Sequence, residues 1–232
     1  MKIHSEINEE PRKLLLNPCN NSDYNLAESS MKSENSVYEY LLRYTKALSA
    51  ALGYRDLSTR LHSERVCELS VTMGIGCGIE KEELTALRVS SSFHDIGKIG
   101  IPDAILLKPG KLDEAEWNVM KQHSEIGEKI MLATDLDGSH RAAVVIRAHH
   151  EHYDGNGYPD GLSGEHIPKC ARIISIVDSY DAMAVTRSYH RAKKHQDILA
   201  ILRDETGGKH DPQLMSLFLD IIEESEFKAI DS

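Results

Sequence analysis

The chain has 232 residues, and its 27 lysines and arginines against 37 aspartates and glutamates leave a formal charge of −10, beside 12 histidines. That acid surplus argues against a groove for a nucleic-acid polymer, while 41% apolar content is enough for one substantial core and excludes disorder throughout. No uninterrupted apolar run exceeds five residues, Ala142 to Ile146 among them, so nothing approaches the roughly 20 residues of a membrane helix. The N-terminus also lacks the apolar core of a signal peptide, and a cytoplasmic protein that does not engage a membrane is expected.

Residues 1–35 are polar, rich in Asn and Ser and broken by Pro11 and Pro18; they read as a flexible extension, too short for a receiver or sensory domain, ahead of one domain over 36–232. Ser36 and Glu39 have capping-box spacing, and Val37, Tyr40, Leu41, Tyr44, Leu48 and Leu52 then repeat at three and four until Gly53, which predicts an amphipathic helix stopping there. This apolar stripe either packs on the core or forms a dimer seam, and the oligomeric state does not follow from it. A second helix is predicted from about Thr59 to Met73 with Gly74 as its stop, and a third from Glu80 to Phe93. GIP and KPG are loop signals, after which Asp113 caps a helix carrying Trp117 and Met120. Further helices fit Ser139 to His150, Ala171 to Arg187, Gln196 to Glu205 and Pro212 to Glu224, and no alternating strand pattern competes. The stretch EHYDGNGYPDGLSGEHIP, Glu151 to Pro168, resists the helical reading with four glycines and two prolines. Loops longer than about 12–15 residues in a compact domain are usually functional or disordered; Tyr153, Tyr158, Leu162 and Ile167 give this one apolar surface to pack, which favours order and function. Cys19, Cys67, Cys77 and Cys170 are widely spaced without CxxC, so they read as reduced thiols.

The chemistry gathers where histidines and acids fall at predicted helix ends and faces. His62, His94 with Asp95, His123, His149 with His150, and Asp178 are five imidazoles and two carboxylates. Any one of these histidines taken alone is more simply a surface or hydrogen-bonded core residue. Together they are the N/O donor set that Mn, Fe, Ni or Zn accepts, with thiolates absent. Seven donors exceed what one four-coordinate ion needs, whereas two ions sharing a carboxylate suit in-line attack on a phosphodiester. Tandem pairs reach one centre only near a helix end or inside a concave bundle, because neighbouring helical residues point about 100° apart. Asp181, one turn after Asp178, is placed either to tune a ligand or the attacking water from behind or to serve as a structural cap.

Four segments carry a resemblance: FHDIGKIGIPDAILLKPGKLDEAEWNVMKQH, HHEHYDGNGYPDGLSGEHIP, ARIISIVDSYDAM and TRSYHRA. In order and spacing they resemble the HD-GYP family of cyclic dinucleotide phosphodiesterases, over about Thr59 to Leu219, with His94–Asp95 as the HD element and Gly157–Tyr158–Pro159 as the signature tripeptide. The resemblance implies an all-α HD-domain bundle of about seven or more helices with a long Gly-rich GYP loop. It further implies that His62, His94, Asp95 and Asp178 hold one metal and His123, His149 and His150 the other, with Asp95 bridging. Lys98 and Arg187 would meet phosphate oxygens, which suit an ammonium and a guanidinium, and Tyr158 would border the base. Gly155, Gly157 and Pro159 shape the loop, and Asp154 is read as a turn former. The chain departs from the family at Ser58, where some members carry a Glu that helps hold a third metal. It departs again at His190, a position commonly basic, followed here by Arg191.

The implied activity is hydrolysis of cyclic di-GMP to pGpG, with onward cleavage to GMP an open step, by a hydroxide shared between two divalent ions, Fe or Mn before Ni, Zn or Mg. The rival readings are a catalytically silent cyclic di-GMP receptor and an HD-type phosphodiesterase preferring cyclic GMP-AMP or another nucleotide. A diguanylate cyclase domain is the candidate protein partner.

Overall fold

The computed structural model describes residues 41, 43, 44, 46–185 and 192–229. The chain divides after Ser36, and everything described belongs to the unit beginning at Val37. The expected extension over 1–35 and the Ser36–Glu39 capping box lie outside the described residues, so do Arg187, His190 and Arg191.

Every regular element among the described residues is helical, as expected of an all-α bundle, apart from a lone bridge between Thr206 and His210. Helix α1 is described over 46–55; then come α2 (Leu57–Gly76), α3 (Lys81–Phe93), a 3-10 turn (Ile96–Gly100), α4 (Asp103–Leu106), α5 (Glu114–Lys121) and α6 (His123–Leu132). Beyond them lie α7 (Ser139–Ala148), a 3-10 turn (Gly164–His166), α8 (Lys169–Ala184), α9 (His195–Asp204) and α10 (Pro212–Glu223). No described helix is long and apolar enough to cross a membrane.

Four boundaries differ from expectation, each for a local reason. The helix of α1 passes through Gly53 and ends only where Asp56 starts α2, its Oδ1 accepting the amides of Ser58 and Thr59 at 3.0 and 3.3 Å. Gly74 is not a stop either: a Cβ there would lie 2.7 Å from Leu87 Cδ2, so it is a close-packing residue inside α2, which runs on to Gly76. The segment after Asp113 is two helices, with the capping box of Asp113 and Glu116 opening α5 and a break at Gln122 before α6. Last, α8 begins at Lys169 and ends at Ala184, because Val185 is extended.

Two apolar clusters hold the unit together. The larger joins Val66 and Met73 of α2, Leu87 of α3, Ile174 and Val177 of α8, Leu199 of α9 and Phe218 of α10. The second joins Leu41 and Leu52, Val89 and Phe93 of α3, Met131 of α6 and Ile146 of α7. Each fully buried Leu, Ile or Phe among them contributes about 1.5–3 kcal/mol. Ile173, Ile174, Ile176 and Val177 have no exposed surface, which makes α8 a central helix rather than an amphipathic wall; it packs on α2, α3, α7, α9 and α10. A carboxylate on such a helix must be paired, and Asp178 and Asp181 are both on it.

One close approach sets the distance between the HD segment and α6. A Cβ on Gly97 would stand 1.8 Å from the His123 carbonyl oxygen and 2.6 Å from the Gly127 amide nitrogen. Only hydrogen fits, so the turn after Asp95 lies directly on the first turn of α6 and carries His123 against Asp95.

Candidate metal centre and active site

The seven predicted donors come from five places in the chain and meet in one cleft. His62 projects from α2, His94 is the C-cap of α3 with Asp95 following, and His123 opens α6. His149 is the C-cap of α7 with His150 after it, and Asp178 comes from α8. Both tandem pairs thus lie at helix C-termini, where the backbone leaves the helical path and lets neighbouring side chains converge.

The donors form two triads, His62–His94–Asp178 and His123–His149–His150, within each of which the ligand atoms lie within 4.8 Å of one another. In the first, Asp178 Oδ1 is 2.9 Å from His62 Nε2 and 4.0 Å from His94 Nε2. In the second, His123 Nε2 is 3.4 Å from His149 Nε2 and 3.1 Å from His150 Nε2. Asp95 stands between them: Oδ1 is 3.6 Å from His123 Nε2, and Oδ2 is 3.5 Å from His94 Nε2 and 4.0 Å from His62 Nε2.

Hydrogen bonding decides which ring nitrogen is left for a metal. The Nδ1 atoms of His94, His123 and His149 donate to the carbonyls of Ser91, Met120 and Ile146 at 2.8, 2.8 and 2.6 Å. His62 Nδ1 donates to Asp181 Oδ2 at 2.6 Å. With the proton assigned to Nδ1 by the carbonyl acceptors, the Nε2 atoms of His94, His123 and His149 present lone pairs to the cleft. Lone pairs of neutral imidazoles facing one another at 3.4 Å in a buried site have no mutual hydrogen bond to make, and buried His94 Nε2 has no hydrogen-bond partner among the described residues. A cation at each triad satisfies both conditions, so the residues fit a divalent metal.

The protonation states agree with that fit. Burial pushes His94 and His150 below the ordinary imidazole range, His123 down to about 4 and His149 down to about 3, leaving them neutral and ligand-ready at pH 7. His62 goes the other way, because the lowering by burial is outweighed by the Asp178 and Asp181 carboxylates. Asp95 and Asp178 are held well below the usual carboxylate range; burial would raise them, but Lys98 and the imidazoles around Asp95, and His62 beside Asp178, outweigh it.

Asp181 holds the His62 ring from behind rather than capping the helix. Its carboxylate takes His62 on one side and a two-pronged contact from Arg65 on the other, Nε at 2.6 Å and Nη2 at 2.8 Å. Lys98 sits on the 3-10 turn after the HD pair, its Nζ 2.6 Å from Asp95 Oδ2. That turn is held by Arg55, whose guanidinium donates to the carbonyls of Lys98 at 3.1 Å, of Ile99 at 2.5 Å and of Ile101, and to Asp103 Oδ1 at 2.9 Å. The cleft widens into a cavity of about 730 Å³ lined by Lys98, Trp117, Met120 and Tyr158, and by His62, Asp95, His123, His150 and Asp178 of the donor set.

The Gly-rich loop is ordered by a residue that loop composition does not reveal. Buried Glu151 accepts the amides of Asp160 and Gly161 at Oε1 (2.7 and 3.1 Å) and of Leu162 at Oε2 (3.0 Å). A Cβ on Gly157 would meet His152 N at 2.2 Å, so the loop folds tightly on its own start and sets Tyr158 tilted against His150, with ring centroids 4.9 Å apart. Asp154 forms the expected turn, its Oδ1 accepting the Asn156 amide at 2.9 Å. Arg147 clamps the far side through Asp160 (2.7 and 2.8 Å) and Glu128 (2.7 Å), and the amides of Tyr153 and Asp154 reach the carbonyls of Lys209 and Gly208.

Glu151, Arg147, Arg65 and Arg55 were not singled out in the sequence. Arg65 had a usable signal, since His62 and Arg65 on α2 and Asp178 and Asp181 on α8 are both i,i+3 pairs; Arg55 had none.

Comparison with known proteins agrees with this architecture. The HD domain family model matches residues 37–214. The cyclic di-GMP phosphodiesterase response regulator RpfG of Xanthomonas campestris pv. campestris is 38% identical over 194 residues, 84% of this chain and 51% of the relative. The 3'3'-cGAMP-specific phosphodiesterase 2 of Vibrio cholerae is 35% identical over 173 residues, 75% of this chain and 33% of the relative. The chain therefore spans about half the length of the first relative and about a third of the second. In fold it is similar to Bd1817, a HDG"Y"P protein from Bdellovibrio bacteriovorus, with a TM-score of 0.58 at 20% identity over 84% of this chain and 64% of that one. With the HD pair at the centre of the cleft and Gly157–Tyr158–Pro159 bordering it, the chain belongs to the HD domain family.

Proposed function

We propose that this chain is a metal-dependent phosphodiesterase that opens a cyclic dinucleotide, cyclic di-GMP to pGpG in the first instance. The observation that carries the reading is the pair of triads on either side of Asp95, which with His62, His123, His150 and Asp178 opens onto a cavity walled by Lys98 and Tyr158. His62, His94 and Asp178 would hold one divalent ion, His123, His149 and His150 a second, and Asp95 would face both; Fe or Mn suits this N/O set, with Ni, Zn or Mg as the other candidates. Bound divalent cations supply Lewis acidity toward a phosphodiester and bring the pKa of water toward neutrality, so that no side-chain nucleophile is needed.

The chain's own residues do the rest. Burial keeps His94, His123, His149 and His150 neutral, and Lys98 and the surrounding imidazoles keep Asp95 and Asp178 ionised against burial, while Asp181 and the helix-end carbonyls hold the rings in one orientation. Lys98, fixed beside Asp95 by the turn that Arg55 clamps, would offer its ammonium to a non-bridging phosphate oxygen in a partly dry site. Tyr158 would border a base, and Arg187 would meet the second phosphate. The complete donor set favours an enzyme over a silent receptor, which has no need of seven ligands.

Cyclic GMP-AMP is a second substrate reading, supported by the similarity to the Vibrio cholerae protein named for it. Metal analysis of purified protein, paired with product chromatography on both cyclic dinucleotides, tests the proposal. About two ions per chain and a linear dinucleotide product are expected; no metal and no turnover would instead favour the receptor.

A further inference from the structure

The chain's single tryptophan is in a place that the core does not explain. Trp117 is 46% exposed on α5, and α5 buries none of its residues. A helix that adds nothing to either apolar cluster is nevertheless built firmly. It has a complete capping box at Asp113 and Glu116, and Glu116 also takes Lys108 Nζ at 2.5 and 2.7 Å, which ties the preceding loop to it. What this arrangement secures is a wall of the cavity, to which Trp117 and Met120 both contribute.

The aromatic surfaces of that wall are not equivalent. The Tyr158 ring is already engaged, tilted against His150 at 31° and lying under Lys121 Nζ at 5.9 Å. Among the described residues the indole of Trp117 makes ring contact with Tyr158 alone, centroids 6.2 Å apart at 83°. Two rings set perpendicular make a corner, where a flat heterocycle stacked on one is met by the edge of the other, the arrangement that aromatic quadrupoles favour.

We propose that Trp117 is a base platform of the candidate active site: one purine of the cyclic dinucleotide lies flat on the indole, with the Tyr158 edge as the side of the corner. The inference rests on the reading of the cavity as a cyclic dinucleotide site. It assigns affinity for the base to α5 and leaves the phosphodiester chemistry to the triads and Lys98.

The test compares the cyclic dinucleotide that the wild type cleaves faster with bis(p-nitrophenyl) phosphate, which has the scissile group but no purine, in metal-supplemented enzyme. Trp117→Ala is expected to cost the cyclic dinucleotide roughly tenfold or more in kcat/KM beyond its cost to the purine-free ester, mainly through KM, with Trp117→Phe recovering much of the loss. Trp117 is also the sole indole emitter, so its fluorescence in the wild type should be quenched by GMP or pGpG, saturably, whether or not the alanine variant folds. Equal losses on the two substrates, or a fluorescence that nucleotide leaves unchanged, overturn the platform while the phosphodiesterase reading stands. A wild type that cleaves the nitrophenyl ester but neither cyclic dinucleotide overturns both.

Discussion

The two triads flanking Asp95 are built from similar donors yet held by different means. In His62–His94–Asp178 one imidazole is steered by a side chain, Asp181, which Arg65 steers in turn. In His123–His149–His150 two rings are steered by carbonyls in the last turns of α5 and α7. The consequence is electrostatic as well as geometric. Carboxylates surround His62 and raise its pKa, whereas burial among other imidazoles lowers those of His123, His149 and His150. A carboxylate-held centre can be retuned by one substitution; a backbone-held centre changes only if a helix end moves.

The largest effect is expected where the two centres meet. Asp95→Ala removes the carboxylate facing both triads and leaves Lys98 without its partner, so hydrolysis in a metal-supplemented assay should fall on the order of a thousandfold or more. Activity within about tenfold of wild type would mean that the centres do not act through a shared carboxylate. Next in size, Asp181→Asn should weaken metal binding about 10–100-fold at one site only. Metal titration followed by calorimetry should then resolve one weakened and one unchanged ion, and a uniform loss would erase the distinction between the centres.

Glu151→Gln probes the loop that leaves the backbone-held triad. Replacing a buried carboxylate that accepts three amides should lower stability by about 1–3 kcal/mol and raise KM, with the metal content kept. A loss of metal instead would show that loop and ligands form one unit.

The smallest effect is the pH dependence of metal-free protein. An imidazole held below its ordinary pKa takes its proton more readily in the unfolded chain. Folded stability is therefore lost as pH falls from about 6.5 toward about 4 for His123, with His94, His149 and His150 acting in the same direction. His62, raised when folded, has the opposite sign: its contribution is present below about 6.5 and is lost as pH rises through the folded value. The melting temperature should drop by a few degrees between pH 7 and 5, less so in His149→Asn and more so in His62→Asn; the reverse ranking would contradict the assigned environments.

Where the chain speaks locally, the sequence is a good guide. The cap at Asp113 and the helices expected over Glu80 to Phe93 and Pro212 to Glu224 rest on short-range features, and the helices form where these predict. The break at Gln122 is invisible because no Gly or Pro marks it and its backbone stays in the right-handed region; α6 turns away there so that its first turn can receive Gly97. Gly53 and Gly74 misled for the complementary reason, since a glycine that ends a helix and one that admits a neighbour look alike in one dimension.

Residue types and their order determined the all-α class, the helix ends that carry His94–Asp95 and His149–His150, and a donor set suited to hard or borderline metals. Those properties follow from side-chain chemistry and from spacings of one or two helical turns. Only the tertiary structure decided that Asp95 turns one oxygen to each triad, that Nε2 is the nitrogen His94, His123 and His149 present, and that Asp181 backs His62 across 119 residues of chain. It also decided that Trp117 faces the cavity and not the core. Contacts of that reach are selected by how α2, α6, α7 and α8 pack around a common interior, and no local period encodes them.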